Sequence, residues 1–369
     1  MNQLFRWDQT GLFLLALAAG ILPFAVPEVC AAALREGLTL CSGPLLLSLF
    51  PFLVVSRLLI QCPESDLLAL PFRLAAWGIG IRTPCAARVL CIGFLGGFAP
   101  AASAAAQAVR TGQITAEEAD ALLPACICSG PSFVVLTVGQ SLLGSAELGV
   151  LLFASQITAN YLTAALLNRF AGVRSVKPGS AVPAFPAPPR LDEILADAAI
   201  TYCKLCGFIL FFRMLAAGAG ALLPAGAGTL CSILLEVCSG CDLASRTGRW
   251  GSLLCCAALS VQGLSVLLQV RTICPPEMTL RPLYRSRLLH LPLSLALFYL
   301  LLPGGEADVF STLPARVLLM RRVPPDCALL VFAVCCMAAC TLRSGIRQVE
   351  QKQMARNAGG CCINSKTLL

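Results

Sequence analysis

The sequence predicts an all-α, polytopic integral membrane protein with about eight transmembrane helices and two broken or re-entrant segments in a pseudo-repeat arrangement. Composition is the first reason. Of the 369 residues, 57% are hydrophobic and only 12% are charged, and the mean hydropathy is +0.81. A soluble domain carries about 25% charged residues. This chain could not cover a surface in contact with water, whereas a bilayer removes that requirement.

Apolar runs are the second reason. Nine runs with few or no charges follow one another, at residues 10–27, 37–56, 89–109, 121–146, 148–168, 214–235, 250–270, 288–305 and 327–342. Most approach the roughly twenty residues that cross a bilayer. Residues 67–81 are a weaker candidate because Arg73 interrupts them. The first run follows Arg6, as in a signal peptide, but we expect a retained helix.

Two Gly- and Pro-containing segments are the third reason. Residues 92–107 read IGFLGGFAPAASAAAQ, and residues 222–242 read LLPAGAGTLCSILLEVCSGCD. Irregular backbone at membrane depth is tolerated only where protein or water satisfies it, and interrupted segments in both halves of a chain indicate a midplane binding site. Small residues at tight helix crossings would explain the same composition.

A Pro-rich linker, residues 173–190, divides the chain. Prolines at that density favour an extended connector. We therefore predict a first membrane half at 1–172, a second at 191–345 and a basic cytoplasmic tail at 346–369. Both halves contain Cys-Ser-Gly after an apolar run, at 128–130 and 238–240. Basic residues flank the linker and cluster at 271–287 and in the tail, which predicts that all three are cytoplasmic.

Polar groups inside apolar runs are the candidate site residues. Glu236 is the most informative, because a carboxylate at the bilayer centre is costly and usually faces a cavity or a partner. It would contact a polar solute or a coupling ion, or else sit near a segment end or pair with an arginine. Pro131 lacks a backbone donor, so a helix broken near it would expose carbonyls to a ligand. The alternative is a kink for packing. The substrate-binding candidates are Glu236, Ser129, Gly130, Pro131, Ser239, Gly240, Gln262, Gln269 and Gln107.

Other polar groups favour structural roles. Gln156 and Asn160, like the glutamines above, could bind a solute or bond one helix to another. Thr115 and Glu118 form a predicted capping box, with the glutamates on a solvated face. The 21 cysteines lie mostly in apolar runs and read as small packing residues. With one histidine and no catalytic motif, we predict no enzyme, no metal, no cofactor and no nucleic-acid partner.

Several motifs together resemble a known family. The most specific are Arg110-Thr-Gly-Gln-Ile-Thr-Ala-Glu-Glu-Ala119 and Ser129-Gly-Pro-Ser-Phe133, with Leu235-Glu-Val237 and Gly263-Leu-Ser-Val266 as second-half counterparts. Over residues 10–302 the chain resembles sporulation integral membrane proteins of the YlbJ type, which carry nucleoside-recognition (Gate) domains. It departs from them at Cys126, Cys128 and Cys238, where the family tends to have more polar residues.

The resemblance implies a multi-pass cell membrane protein of spore-forming bacteria, in a forespore or mother-cell membrane, that is needed for spore cortex formation. Gate domains are similar to the core of concentrative nucleoside transporters, which implies movement of a nucleoside-like or other small solute, a possible coupling ion and a possible homo-oligomer. The alternative is a non-transporting membrane scaffold that recruits cortex-building partners.

Overall fold

The computed structural model describes residues 9–62, 65–171 and 190–302, and their regular structure is entirely helical. The α-helices are α1 Gln9–Ala25, α2 Pro27–Ser42, α3 Pro44–Gln61, α4 Ser65–Leu68, α5 Leu70–Gly78, α6 Pro84–Gly96, α7 Phe98–Arg110, α8 Ala116–Cys126, α9 Ala146–Ala171, α10 Leu191–Leu222, α11 Ala225–Leu235, α12 Val237–Ser245, α13 Gly251–Val261, α14 Gly263–Ile273 and α15 Arg281–Leu301. A π-helix, Ser132–Leu142, precedes α9, and a 3₁₀ turn, Gly248–Trp250, precedes α13. The predicted span 327–342, the tail and nearly all of the linker lie outside the described residues.

Four described stretches are long and apolar enough to cross a membrane by length and composition. They are Pro27–Leu47, Ala146–Ala171, Leu191–Leu222 and Gly248–Ile273. Large apolar side chains also point outward, as with Phe24 at 88% and Phe170 at 82% exposure. An outer surface of this kind suits lipid better than water. These features suggest a multi-pass membrane protein.

The Gly-rich run in the first half folds as a helical hairpin, which we call the first hairpin. Helices α6 and α7 meet at Gly97, whose φ of +80° lies in the region that favours glycine. A methyl group added at Gly93 would stand 3.2 Å from the Cβ of Ala101. Eight residues cover about 12 Å along a continuous helix, so the chain reverses direction. Residues 89–109 therefore form a hairpin and not one crossing.

The second hairpin comprises α11 and α12, which meet at Glu236. This residue is extended, with φ −150° and ψ 124°. A methyl group at Gly240 would stand 2.8 Å from the Cα of Ile233, so α12 folds back along α11. The predicted span 214–235 is divided at Pro224, because α10 ends just before it and α11 begins just after it.

Two further helices are interrupted without reversing. Helix α8 ends at Cys126, and residues 127–130 are not helical before the π-helix begins. Helices α13 and α14 are separated at Gln262 and Gly263, which have φ of 66° and 68°. The sequence predicted the first of these interruptions, at Ser129–Pro131. It did not predict the second, which falls inside the apolar run 250–270.

Polar contacts at the helix ends define one end of the bundle, which we call the basic end because the basic segment 271–287 enters α15 there. Asp197, near the start of α10, pairs with Arg57, near the end of α3, at 2.7 Å. Asp120, near the start of α8, accepts hydrogen bonds from the Thr279 and Leu280 amides at 2.8 and 3.0 Å, just before α15. Asn168, near the end of α9, donates to the Ala121 carbonyl at 3.1 Å. The starts of α8, α10 and α15 therefore share this end with the ends of α3 and α9.

The predicted capping box begins α8. The Glu118 amide donates to the Thr115 hydroxyl at 3.1 Å, and the Thr115 amide donates to the Glu118 carboxylate at 3.2 Å. The pairing confirms the predicted helix start. Glu118 is nevertheless buried, contrary to the predicted solvated face, because α8 inserts between other helices and leaves little of its surface in solvent.

The tip of the first hairpin generates a stability prediction. A methyl group at Gly97 would stand 2.6 Å from the Gly130 amide nitrogen, and the positive φ adds strain of about 1–3 kcal/mol. We expect Gly97→Ala to lower the melting temperature in detergent far more than Gly144→Ala. Gly144 has a similar φ of +72° but nothing within 4 Å of the added methyl. Equal shifts for the two variants, measured with a thiol-reactive dye, would contradict the close packing.

Candidate functional site

The four helix interruptions lie together, and we call this place the central site. The first hairpin tip, Gly97, packs directly on Gly130. The second hairpin tip packs on the other interruption, since a methyl group at Gly263 would stand 3.0 Å from the Glu236 amide nitrogen. The two unwound segments are joined by Gln262 Nε2 and Ser129 Oγ at 3.5 Å. Each hairpin tip therefore contacts one unwound segment, and the two segments contact each other.

Glu236 caps a helix inside this site. Its carboxylate accepts hydrogen bonds from the Cys238 and Ser239 amides at 2.8 and 2.7 Å and from the Ser239 hydroxyl at 2.8 Å. The side chain is only 2% exposed. A helix N-terminus carries about half a positive charge, which stabilises the buried carboxylate. Of the alternatives considered from the sequence, the structure places Glu236 at a segment end, where it is also buried.

Gln262 is held in an unusual state. It is 1% exposed and left-handed, which costs a non-glycine residue about 1–2 kcal/mol. Its Nε2 donates to the Leu259 carbonyl at 2.7 Å. Its Oε1 has no hydrogen-bond partner within the described part of the chain. The backbone of Gln262 is strained and its side-chain acceptor has no partner. This acceptor is therefore a candidate contact for a ligand that carries a hydrogen-bond donor.

A cluster of buried polar side chains lies behind the interruptions, on α9, α13 and α15. We call it the polar cluster, and its members are Gln156, Asn160, Ser260, Arg287, His290 and Ser294. Gln156 Nε2 donates to the Ser260 hydroxyl at 3.0 Å, and His290 Nε2 lies 3.2 Å from the Gln156 carbonyl. The cluster therefore joins α9 to both α13 and α15.

Arg287 is the charged member of the polar cluster. The sequence placed it in a cytoplasmic basic loop, but it lies in the second turn of α15 and is 8% exposed. The spacing of polar residues along the sequence could have predicted that Arg287 is buried. Residues 287, 290 and 294 share one face of α15, and 156, 160 and 163 share one face of α9. Polar residues at helical spacing in two apolar runs indicate facing helices.

The remaining predicted site residues occupy different places. Gly240 packs between the arms of the second hairpin, and Pro131 precedes the π-helix. Gln269 lies two turns beyond Gln262 and donates to the Ser265 hydroxyl at 2.9 Å. Gln107 is only partly buried, ten residues from Gly97 and one turn from the end of α7. The fold brings Ser129, Gly130, Glu236 and Gln262 together and keeps Gln107 apart.

A cavity of about 170 Å³ lies between α3, α7, α10 and α14. Gln269 contributes to its wall, and so do the cations Arg57, Arg110 and Lys204, of which Arg57 is paired with Asp197. The cavity therefore carries net positive charge and lies near the basic end of the bundle. We call it the basic cavity.

The cysteines of the described residues are free thiols, and most are buried. Cys238 and Cys241 have C-x-x-C spacing, and Cys241 packs near Cys255, whose Sγ lies 3.5 Å from the Cys241 carbonyl. Within the described ranges, no group of three or more His, Cys, Asp and Glu side chains could hold a metal ion. The burial of most of these thiols suits small packing groups.

No protein-family model matches the sequence, and neither a curated protein nor a solved structure matches it. The resemblance to Gate-domain proteins therefore depends on the motifs alone.

The capping role of Glu236 generates a second stability prediction. Glu236→Ala leaves two amides without their acceptor in a buried place, at about 1–3 kcal/mol for each unpaired group. We expect it to lower the melting temperature more than Thr115→Ala, which removes an exposed cap worth about 1 kcal/mol. Glu236→Gln keeps one acceptor oxygen and should fall between them. A melting temperature of Glu236→Ala equal to or higher than that of Thr115→Ala would contradict the capping role.

Proposed function

We propose that the chain is a membrane transporter that binds a small solute at the central site. The main observation behind this proposal is that four helix interruptions lie together. The two unwound segments among them are joined by the contact between Gln262 and Ser129. Interrupted helices present polar backbone and helix ends to a ligand at membrane depth. A strained, unpaired acceptor in the same place supports a ligand-binding role.

The order of elements supports a pseudo-repeat. The first half runs from a hairpin (α6 and α7) to an interrupted helix (α8 and the π-helix) and a long helix (α9). The second half repeats this order with α11 and α12, α13 and α14, and α15. Helices α9 and α15 pack against each other, as expected of matching elements near a pseudo-two-fold axis.

The two units are inverted relative to each other in this proposal. The first hairpin enters from the basic end, because Arg88 near its start bonds to Gln113 just after its end, at 2.9 Å, and α8 begins beside them. The second hairpin follows the end of α10, which runs away from the basic end. Hairpins that enter from opposite faces and reach one site provide two gates, as alternating access requires.

The basic cavity supports a route from one face. Gln269 in its wall lies seven residues from Gln262, about 10 Å along α14. By the positive-inside rule this end is cytoplasmic. The cavity therefore lies between the cytoplasmic face and the central site, with cations along its wall.

Solute identity and biological setting come from the resemblance. It supports a nucleoside-like solute and a role in spore cortex formation, in a forespore or mother-cell membrane. The hydroxyl of Ser129 and the free acceptor of Gln262 suit a solute with several hydroxyl and amino groups. Cys126 and Cys128 stand where the family tends to have more polar residues, so Ser129 and Gln262 would supply most of the polar contacts to the solute.

Uptake tests the proposal directly. In proteoliposomes that contain the full chain, we expect saturable nucleoside uptake, and we expect Gln262→Ala to lower it about tenfold, the equivalent of about 1.4 kcal/mol of lost contact. Gln107→Ala is the matched control and should keep wild-type uptake, because Gln107 lies away from the interruptions.

The opposite results favour the scaffold. Absence of specific flux for any nucleoside or related small solute would contradict transport. The scaffold would also require that a folded Gln262→Ala protein leave sporulation intact while changes in the basic loops or the tail abolish it.

Topology provides an independent prediction. Reporters inserted at Gly112 and at Glu277 should lie on one face of the membrane, and a reporter at Gly144 should lie on the other. Paired fusions to a fluorescent protein, active inside, and to alkaline phosphatase, active outside, measure this. Reporters at Gly112 and Gly144 on the same face would contradict the inverted arrangement.

A further inference from the structure

We propose that Arg287 is a built-in cation that occupies the place, between the C-terminal ends of two interrupted helices, where a transporter would otherwise bind a coupling metal cation. The inference rests on the proposed function and specifies its energetics. In interrupted-helix transporters, unwound carbonyls and half-helix C-terminal ends coordinate the driving cation. Here a guanidinium of the chain itself binds one such end, and Asn160 joins the other end to it.

The first of these ends belongs to α13. The last turn of a helix has carbonyls that no following amide satisfies. Arg287 Nη1 donates to the Ser260 carbonyl at 3.5 Å, one residue before the helix ends. The neighbouring Leu259 carbonyl accepts from the Gln262 side chain. The end of α13 is therefore satisfied by two side chains, of which one is a cation.

The second end belongs to α8, and Asn160 connects it to the same cation. Asn160 Nδ2 donates to the Ile127 carbonyl at 3.4 Å, immediately after α8 ends. Asn160 Oδ1 accepts from Arg287 Nη2 at 3.2 Å. One amide thus joins the first unwound segment to the guanidinium, and Arg287 links the C-terminal ends of both interrupted helices.

Charge balance explains how this cation is tolerated. Among the described residues, the buried arginines Arg57 and Arg88 pair with carboxylates, whereas no carboxylate lies within 4.0 Å of Arg287. Each helix C-terminus contributes roughly half a negative charge. Two of them provide about the one unit that neutralises a guanidinium, and no second cation would then be stabilised there.

Cation dependence of stability tests this without any transported solute. The full chain in lipid nanodiscs should melt at the same temperature in sodium chloride and in choline chloride of equal ionic strength. We expect Arg287→Gln to melt lower in choline chloride and to recover by a few degrees in sodium or lithium chloride, because a free cation fills the vacated place. Arg285→Gln, an exposed neighbour on the same helix, should match the wild type in both salts.

Arg287→Lys keeps the charge and should remain insensitive to the salt, which preserves the test if Arg287→Gln does not fold. Saturable stabilisation of the wild type or of Arg287→Lys by sodium would overturn the inference. So would a folded Arg287→Gln protein that ignores the choice of cation.

Flux separates this inference from the proposed function. Wild-type uptake should not depend on a sodium gradient, and Arg287→Gln uptake, where it remains, should acquire such a dependence. If no solute is taken up, only the transporter proposal is contradicted, because the melting experiment does not require transport. Sodium-driven uptake by the wild type would contradict only the built-in cation.

Discussion

The structure depends on one constraint, namely that backbone polar groups buried away from water must find partners within the protein. Four interruptions would each be costly if they faced hydrocarbon alone. Here they are grouped in two pairs, Gly97 with Gly130 and Glu236 with Gly263. Glycine at the contact points lets backbone approach backbone, so each interruption lies against another and away from lipid. The hairpins and the unwound helices therefore require each other.

Charge at the helix ends follows from the same constraint. An interrupted helix creates a positive and a negative end at membrane depth. The chain places Glu236 at the N-terminal end of α12 and Arg287 at the C-terminal ends of α8 and α13. Glu236 is hydrogen-bonded directly to the end that it neutralises, and Arg287 is bonded directly to the end of α13 and through Asn160 to the end of α8. The interior thus contains two opposite charges that form no salt bridge with each other or with any described residue.

The sequence predicted much of this but not its geometry. Composition predicted the membrane class, and clustered glycines and prolines marked the positions where Gly97 and Pro131 interrupt helices. Direction was not predictable, because a hairpin and a span have the same composition, and only the contact of Gly93 with Ala101 separates them. The interruption at Gln262 also lacked a signal, since a left-handed glutamine follows an ordinary apolar run. Arg287 was misplaced because linear charge counting ignores which face of α15 it occupies.

Unused hydrogen-bonding groups favour a ligand over a purely structural role. Uninterrupted helices would satisfy the backbone of a scaffold at lower cost, because left-handed residues and buried orphans each cost about 1–3 kcal/mol. Among the described residues, Gln262 Oε1, Gln156 Oε1 and His290 Nδ1 are three of the buried side-chain atoms without partners, and others, such as Thr83 Oγ1, lie elsewhere in the bundle. All three belong to the central site or to the polar cluster behind it. Gln262 combines a left-handed backbone with an unsatisfied buried acceptor. Selection for stability alone would remove such a residue, and a solute that supplies a hydrogen bond there would offset its cost.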